Sequence, residues 1–212
     1  MRIDRAGVPF IAAAVAPAAA FAAVRRYGLA ASFAALGGFF AYFFRDPDRE
    51  IPQTPNVAVS PADGRVMHAG PADPATSPPG TWLQITIFLS PLDVHINRAP
   101  VAGRVTRIEY RPGRFLPAYD ARAGENELNE IWVDAGGTPI VFRQVVGILA
   151  RRIVCRIVEG QSVGRGERIG LMKFGSRMDV FVPPGTRLCV EVGEAVVAGE
   201  TVIAVLGGND AA

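Results

Sequence analysis

The chain opens with two long apolar runs, Val8 to Val24 and Gly28 to Phe44, separated by Arg25-Arg26-Tyr27 and closed by the charged stretch Arg45-Asp-Pro-Asp-Arg-Glu50. Each run is about 17 residues, roughly 26 Å as α-helix at ~1.5 Å per residue, slightly short of a ~30 Å hydrocarbon core. The pattern predicts an apolar helical hairpin over residues 1–50 that associates with a membrane, either spanning it or inserting shallowly. The first run is mostly alanine, carries Pro9 and Pro17 behind Met1-Arg-Ile-Asp-Arg5, and also has the form of a signal peptide. The second is richer in large side chains, Phe39, Phe40, Tyr42, Phe43 and Phe44, which suits a retained anchor. The leading tail, the connecting loop and the segment after the hairpin each carry two arginines, so charge does not set an orientation.

Beyond residue 50 the pattern changes to short β-branched and aromatic runs broken by Gly, Pro and Asp. The runs are Trp82 to Leu89, Arg104 to Tyr110, Glu127 to Asp134, Thr138 to Val146, Arg152 to Val158, Met178 to Val182 and Arg187 to Val192. They predict a mainly β domain over residues 51–212. Pro112 to Asn126 reads as a long loop of the kind that often carries function. Two internal echoes stand out: Ser60-Pro-Ala-Asp-Gly-Arg-Val66 against Ala99-Pro-Val-Ala-Gly-Arg-Val105, and Val163-Gly-Arg-Gly-Glu167 against Val196-Val-Ala-Gly-Glu200. Such turns punctuate barrels of the biotinyl/lipoyl type, with glycine in the tight turn and valine toward the core; they are also compatible with ordinary turns.

The length of 212 residues allows one well-buried domain plus an appendage. The balance of 22 basic and 20 acidic residues, a net +2, argues against a nucleic-acid partner. Cys155 and Cys189 lie in apolar runs without metal-ligand spacing, which predicts buried thiols rather than a disulfide framework or a metal site. Lys173 is the single lysine, so any chemistry requiring a lysine amine has one candidate.

Three segments carry candidate chemistry: Ser60-Pro-Ala-Asp63-Gly64, Phe88-Leu-Ser-Pro-Leu-Asp-Val-His95-Ile-Asn-Arg-Ala-Pro100, and Phe174-Gly175-Ser176-Arg177. A Gly-Ser pair alone is ordinarily a turn, His95 alone ordinarily structural, and Asp63 before Gly64 ordinarily a turn aspartate. Together, and behind an apolar leader ending in Arg45-Asp-Pro-Asp-Arg49, they resemble the short bacterial and archaeal form of phosphatidylserine decarboxylase, a pyruvoyl-dependent family, over essentially the whole chain.

The resemblance implies self-cleavage between Gly175 and Ser176, giving a β chain of residues 1–175 and an α chain of residues 176–212, with Ser176 converted to a pyruvoyl group. Glycine suits the position before the nucleophile because it has no Cβ to hinder attack, and the hydroxyl needs a base, for which Asp63 and His95 are the candidates. The pyruvoyl carbonyl then forms a Schiff base with the substrate amine and accepts electrons as CO2 leaves, the role pyridoxal phosphate has elsewhere. His95 is expected to protonate the resulting carbanion. Neither a metal nor pyridoxal phosphate is implied. Longer relatives have a second histidine where this chain has Arg98, and arginine cannot act as a base near neutral pH. Arg98, Arg111, Arg114 and Arg177 are candidate cations for the substrate phosphate and carboxylate, with Arg98 and Arg177 foremost. The implied partners are a phospholipid in the cell membrane and the chain's own two fragments, with the catalytic domain on the cytoplasmic side and a homo-oligomer compatible with the sequence.

Two other readings fit parts of the pattern. A biotinyl/lipoyl-type carrier would use Lys173 as its attachment point, and a non-catalytic membrane-anchored β-domain would use none of these residues chemically.

Overall fold

The computed structural model describes residues 2–118, 120–147, 152–173 and 176–207, and the chain divides after Asp48 into two compact units. The first unit is a helix pair. Helix α1 (Val8–Ala23) and helix α2 (Tyr27–Phe43) run antiparallel, with Phe10 against Phe40 at 5.5 Å and Phe21 against Phe33 at 5.6 Å between ring centroids. The tight connection places Arg25 at φ +59°. A two-residue ribbon, β1 (Arg2–Ile3) with β2 (Arg45–Asp46), ties the ends. Gly7 is required there, because a Cβ would meet the Phe44 ring at 2.4 Å. The 19-residue helical stretch Arg5–Ala23 is long and apolar enough to cross a membrane, and α2 is a shorter apolar helix. Val8, Val15, Leu29 and Leu36 are exposed on this pair.

The second unit is built from fourteen strands among the described residues: β3 (Val57–Val59), β4 (Gly64–Pro71), β5 (Leu83–Leu89), β6 (Ile96–Arg98), β7 (Gly103–Arg111), β8 (Leu128–Asp134), β9 (Pro139–Val146), β10 (Ile153–Cys155), β11 (Ser162–Val163), β12 (Arg168–Met172), β13 (Ser176–Val182), β14 (Arg187–Leu188), β15 (Ala195–Val196) and β16 (Val202–Val205). The fold class is therefore mainly β behind an apolar helix pair. A curled half-barrel sheet of eight antiparallel strands runs β11-β7-β8-β9-β13-β5-β4-β15, and two three-stranded sheets run β10-β12-β6 and β14-β16-β3. The order is palindromic about the β9–β13 junction. The two sequence echoes are the visible trace of this symmetry. Gly166 N–H donates to Ala99 O as Gly199 N–H donates to Ser60 O, both at 2.8 Å; Gly160 N–H donates to Val105 O as Gly193 N–H donates to Val66 O, again both at 2.8 Å. Ile51 lies against both turn glycines, Gly166 and Gly199, whose φ values are +75° and +79°.

Strand alternation sorts the side chains onto two faces. Ile85, Ile87 and Leu89 of β5, Ile131 and Val133 of β8, Ile140 and Phe142 of β9, and Met178, Val180 and Val182 of β13 point inward and form one core with Ile169 and Met172 of β12. Fully burying each such side chain contributes about 1.5–3 kcal/mol. The outer face carries a charged row, Glu130 beside Arg143 beside Asp179 beside Thr86, next to an aromatic cluster of Trp82, Trp132 and Phe181. Cys155 and Cys189 are free and only partly buried. They fall in or beside edge strands of the two three-stranded sheets, Cys155 in β10 and Cys189 just after β14, rather than in the inner row of the large sheet.

Candidate active site

Ser176 is the first residue of β13, held in register between Leu89 of β5 and Val146 of β9. With Met178 and Val180 it belongs to the inward set, and it is fully buried. Its Oγ has no hydrogen-bond partner among the described residues. An unsatisfied buried hydroxyl costs about 1–3 kcal/mol, so its presence at the head of the otherwise apolar inward row of Met178, Val180 and Val182 needs a reason. Gly175, the expected residue before the cut, lies outside the described residues.

His95 stands one residue before β6. Its backbone C=O accepts from Met172 N–H at 3.4 Å, and Met172 ends β12, the strand that leads to Ser176. The topology therefore brings His95 to the end of the sheet where Ser176 begins its strand. The ring is 1 % exposed, with Nδ1 2.9 Å from Asp93 O. A backbone carbonyl can only accept, so Nδ1 carries the proton and Nε2 is the basic nitrogen of the neutral ring. The loop before it is fixed from the neighbouring strand, since the Asp93 carboxylate accepts from Ser90 N–H at 2.7 Å and Ser90 follows Leu89, the partner of Ser176.

Asp63 occupies the corner before β4. Arg49 donates to both of its carboxylate oxygens at 2.7 and 3.0 Å, and Ala198 N–H donates at 2.8 Å. Extending the β4–β5 register by one step from Arg65 and Phe88 sets Gly64 beside Leu89, two strands from Ser176. At ~4.8 Å per strand the Asp63 corner is roughly 10 Å away along the sheet. Asp63 shapes that corner through Arg49 and Ala198. Gly64 has φ +153°, and a Cβ there would sit 2.1 Å from Phe88 O. Gly64→Ala is expected to cost about 1–3 kcal/mol, read as a lower urea midpoint.

The four arginines divide. Arg98 sits in β6 on the strand face opposite that of His95 and Asn97, and its guanidinium donates to Gly166 O at 2.8 Å. Arg177 alternates with Ser176 and therefore points to the outer face, where it donates to Asp179 at 2.9 Å and borders a cleft of about 490 Å³ lined also by His68, Thr86 and Asp120. Arg111 is bound to Glu109 at 2.8 Å and to Glu130 at 3.2 Å; its hydrogen bond is the main reason the Glu109 carboxyl lies below its ordinary range. Arg114 is exposed and 3.4 Å from Glu125. None of these four guanidinium groups shares the inward face on which Ser176 lies.

The long loop closes over the same end of the sheet. Asn126 donates to Leu116 O and Val146 O, both at 2.8 Å, so the loop is anchored on the strand beside Ser176. The turn Ala121–Glu125 inside it is capped by Asp120, whose carboxyl is held low chiefly by the Arg122 backbone N–H. A further set of groups escaped notice in the sequence. Asn97, Gln144 and Asn129 are buried on the inner side and hydrogen-bonded in a line. Uncharged amides in apolar strands give no pattern by which to find them.

These features match known proteins. The family model for phosphatidylserine decarboxylase matches residues 36–204. The phosphatidylserine decarboxylase proenzyme of Symbiobacterium thermophilum is 46 % identical over 203 residues, covering 95 % of this chain and 94 % of that protein. The proenzyme of Chlorobium chlorochromatii is 47 % identical over 167 residues, 78 % of each chain, and that of Burkholderia multivorans 42 % identical over 207 residues, 96 % of each. Similarity of this extent, spanning both the Asp63 corner and the strand that begins at Ser176, makes the chain a member of the phosphatidylserine decarboxylase family.

Proposed function

We propose that the chain cuts itself between Gly175 and Ser176 and then decarboxylates phosphatidylserine to phosphatidylethanolamine at the membrane surface. The observation that carries this reading is the buried Ser176 Oγ, unpartnered among the described residues, at the head of a central strand four residues after Met172, whose N–H donates to the His95 carbonyl. The first step balances with one water. Ser176 Oγ adds to the Gly175 carbonyl and the amide becomes an ester. Loss of the α-proton of residue 176 breaks its Cβ–O bond and frees the Gly175 carboxylate. Hydration then releases ammonia and leaves a ketone at position 176. His95 Nε2 is the base suited to take the hydroxyl proton. Asp63 contributes by fixing the corner beside Leu89.

The residues at position 176 fit such a group, since a small ketone replaces a hydroxyl that makes no hydrogen bond. Once formed, the pyruvoyl group supplies a carbonyl that takes up the substrate amine and accepts the electron pair freed with CO2. His95 then delivers a proton to the substrate α-carbon. The helix pair, with its exposed apolar side chains, supports association with the bilayer that holds a diacyl substrate. A carrier role for Lys173 fits less well, because that side chain is half-buried directly after β12, where a modifying enzyme has poor access.

Purified protein run under denaturing conditions is expected to give a fragment of 37 residues, 176–212, lighter by one ammonia than a peptide beginning with serine and refractory to amino-terminal sequencing. CO2 release from phosphatidylserine should accompany it. A single uncut chain that is active would overturn the proposal.

A further inference from the structure

The inner side of the sheet near Ser176 holds a second orphan. Asn129 Nδ2 donates to Gln144 Oε1 at 3.2 Å, and Gln144 Nε2 donates to Asn97 Oδ1 at 2.9 Å. Because Gln144 presents its nitrogen to Asn97, the Asn97 oxygen is consumed and its Nδ2 is left over, fully buried and without a partner among the described residues. Native interiors leave few such atoms unpaired. Asn97 and His95 are two apart along an extended segment and share a face. Gln144 lies opposite Met178, diagonal to Ser176, and diagonal neighbours are about 7–8 Å apart, within reach of long side chains. Two buried polar atoms that lack partners among the described residues, Ser176 Oγ and Asn97 Nδ2, thus face the same interior at the same end of the sheet.

We infer that Asn97 Nδ2 is the donor that receives the carboxylate of the phosphatidylserine headgroup, an assignment that rests on the decarboxylase reading above. The chemistry favours an amide over a cation. CO2 leaves neutral, so a guanidinium on the carboxylate would stabilise the ground state more than the transition state and slow the step. A neutral N–H orients the carboxylate while leaving its charge poorly solvated. This agrees with the placement of Arg98 and Arg177, whose guanidinium groups point away from that interior. The relay from Asn129 through Gln144 serves to fix which end of the Asn97 amide is presented.

The test compares wild type with Asn97→Leu, which keeps the volume and removes the donor. The leucine variant is expected to be cut as completely as wild type. Its kcat/KM for phosphatidylserine in mixed micelles should fall about ten- to a hundredfold, the effect of losing one buried hydrogen bond to a charged group. Reductive trapping of phosphatidylethanolamine onto the 37-residue fragment, read by mass, should keep its half-saturating concentration, because that lipid has the amine and phosphate but no carboxylate. Equal weakening toward both lipids, or an unchanged kcat/KM, overturns the assignment. If the leucine variant does not mature, Gln144→Glu gives the same reading: its carboxylate can only accept, so it draws Asn97 Nδ2 to itself and must produce the same selective loss. Loss toward both lipids, or toward neither, in that variant again overturns it. A wild-type protein that releases no CO2 removes the decarboxylase reading and the Asn97 assignment with it, whereas an active wild type with an unaffected variant removes the Asn97 assignment alone.

Discussion

Ser176→Ala is expected to give one intact chain of 212 residues that folds normally and releases no CO2. The substitution deletes a single oxygen, and with it both the nucleophile of the proposed cut and the atom whose elimination would create the proposed ketone. Its two in-register partners in the sheet, Leu89 and Val146, carry no hydroxyl. The loss of turnover is therefore complete rather than partial. Stability should hold or rise, because the Oγ makes no hydrogen bond among the described residues and its removal relieves an unsatisfied buried group worth about 1–3 kcal/mol. Gel mobility, intact mass and a thermal melt check all three statements. A cut product from this variant, or residual turnover above background, is incompatible with the proposed chemistry.

The second large effect concerns stability on the opposite face of the same sheet. Glu130 is fully buried and accepts from Arg143 Nε at 2.6 Å, from Trp132 Nε1 at 2.9 Å and from Arg111 at 3.2 Å. Arg143 is 3 % exposed, donates to Thr76 O at 2.6 Å and lies over the Phe181 ring at 4.8 Å. Glu130→Ala leaves that guanidinium buried without its counter-charge and should cost about 3–5 kcal/mol, measured by urea unfolding of the cut protein. Replacing both charges, as in Glu130→Leu with Arg143→Met, should recover most of the loss, since an apolar pair avoids the desolvation of two ions. If the single variant unfolds at the wild-type midpoint, the ion pair is not a structural element of the sheet.

How much of this was legible beforehand varied with the physics that sets each element. The runs behind β5, β8 and β9 are dense in β-branched and aromatic residues, and the strands appear there within a residue or two. β4 and β12 were not anticipated, because Gly70 and Pro71 end the first and Gly170 interrupts the second. Gly170 is in fact demanded by the strand pairing, as a Cβ would sit 1.9 Å from Val154 O, and no single-strand pattern contains that information. The expected strand beginning at Met178 starts two residues earlier, at Ser176 itself. The candidate serine can be picked out in the sequence, but its burial and inward direction follow from register with β5 and β9. The same register sends Arg177 outward, which residue type alone cannot disclose. The expected buried thiols are only partly buried, because the short edge strands near them do not exclude solvent as the central ones do.

The position of β13 also decides what would become of the two pieces of the proposed cut. Residues 176–207 provide a strand bonded along both edges, to β5 and to β9, and then pair with β4 through β15 and with β3 through β16, which also carries β14. Scission ahead of such a strand frees a terminus without freeing a subunit. After the proposed cut the smaller polypeptide would stay threaded through the larger one, with its new end immobilised at a fixed point of the lattice of backbone bonds. A reactive carbonyl borne there has the rigidity of a sheet interior instead of the disorder usual for a chain terminus.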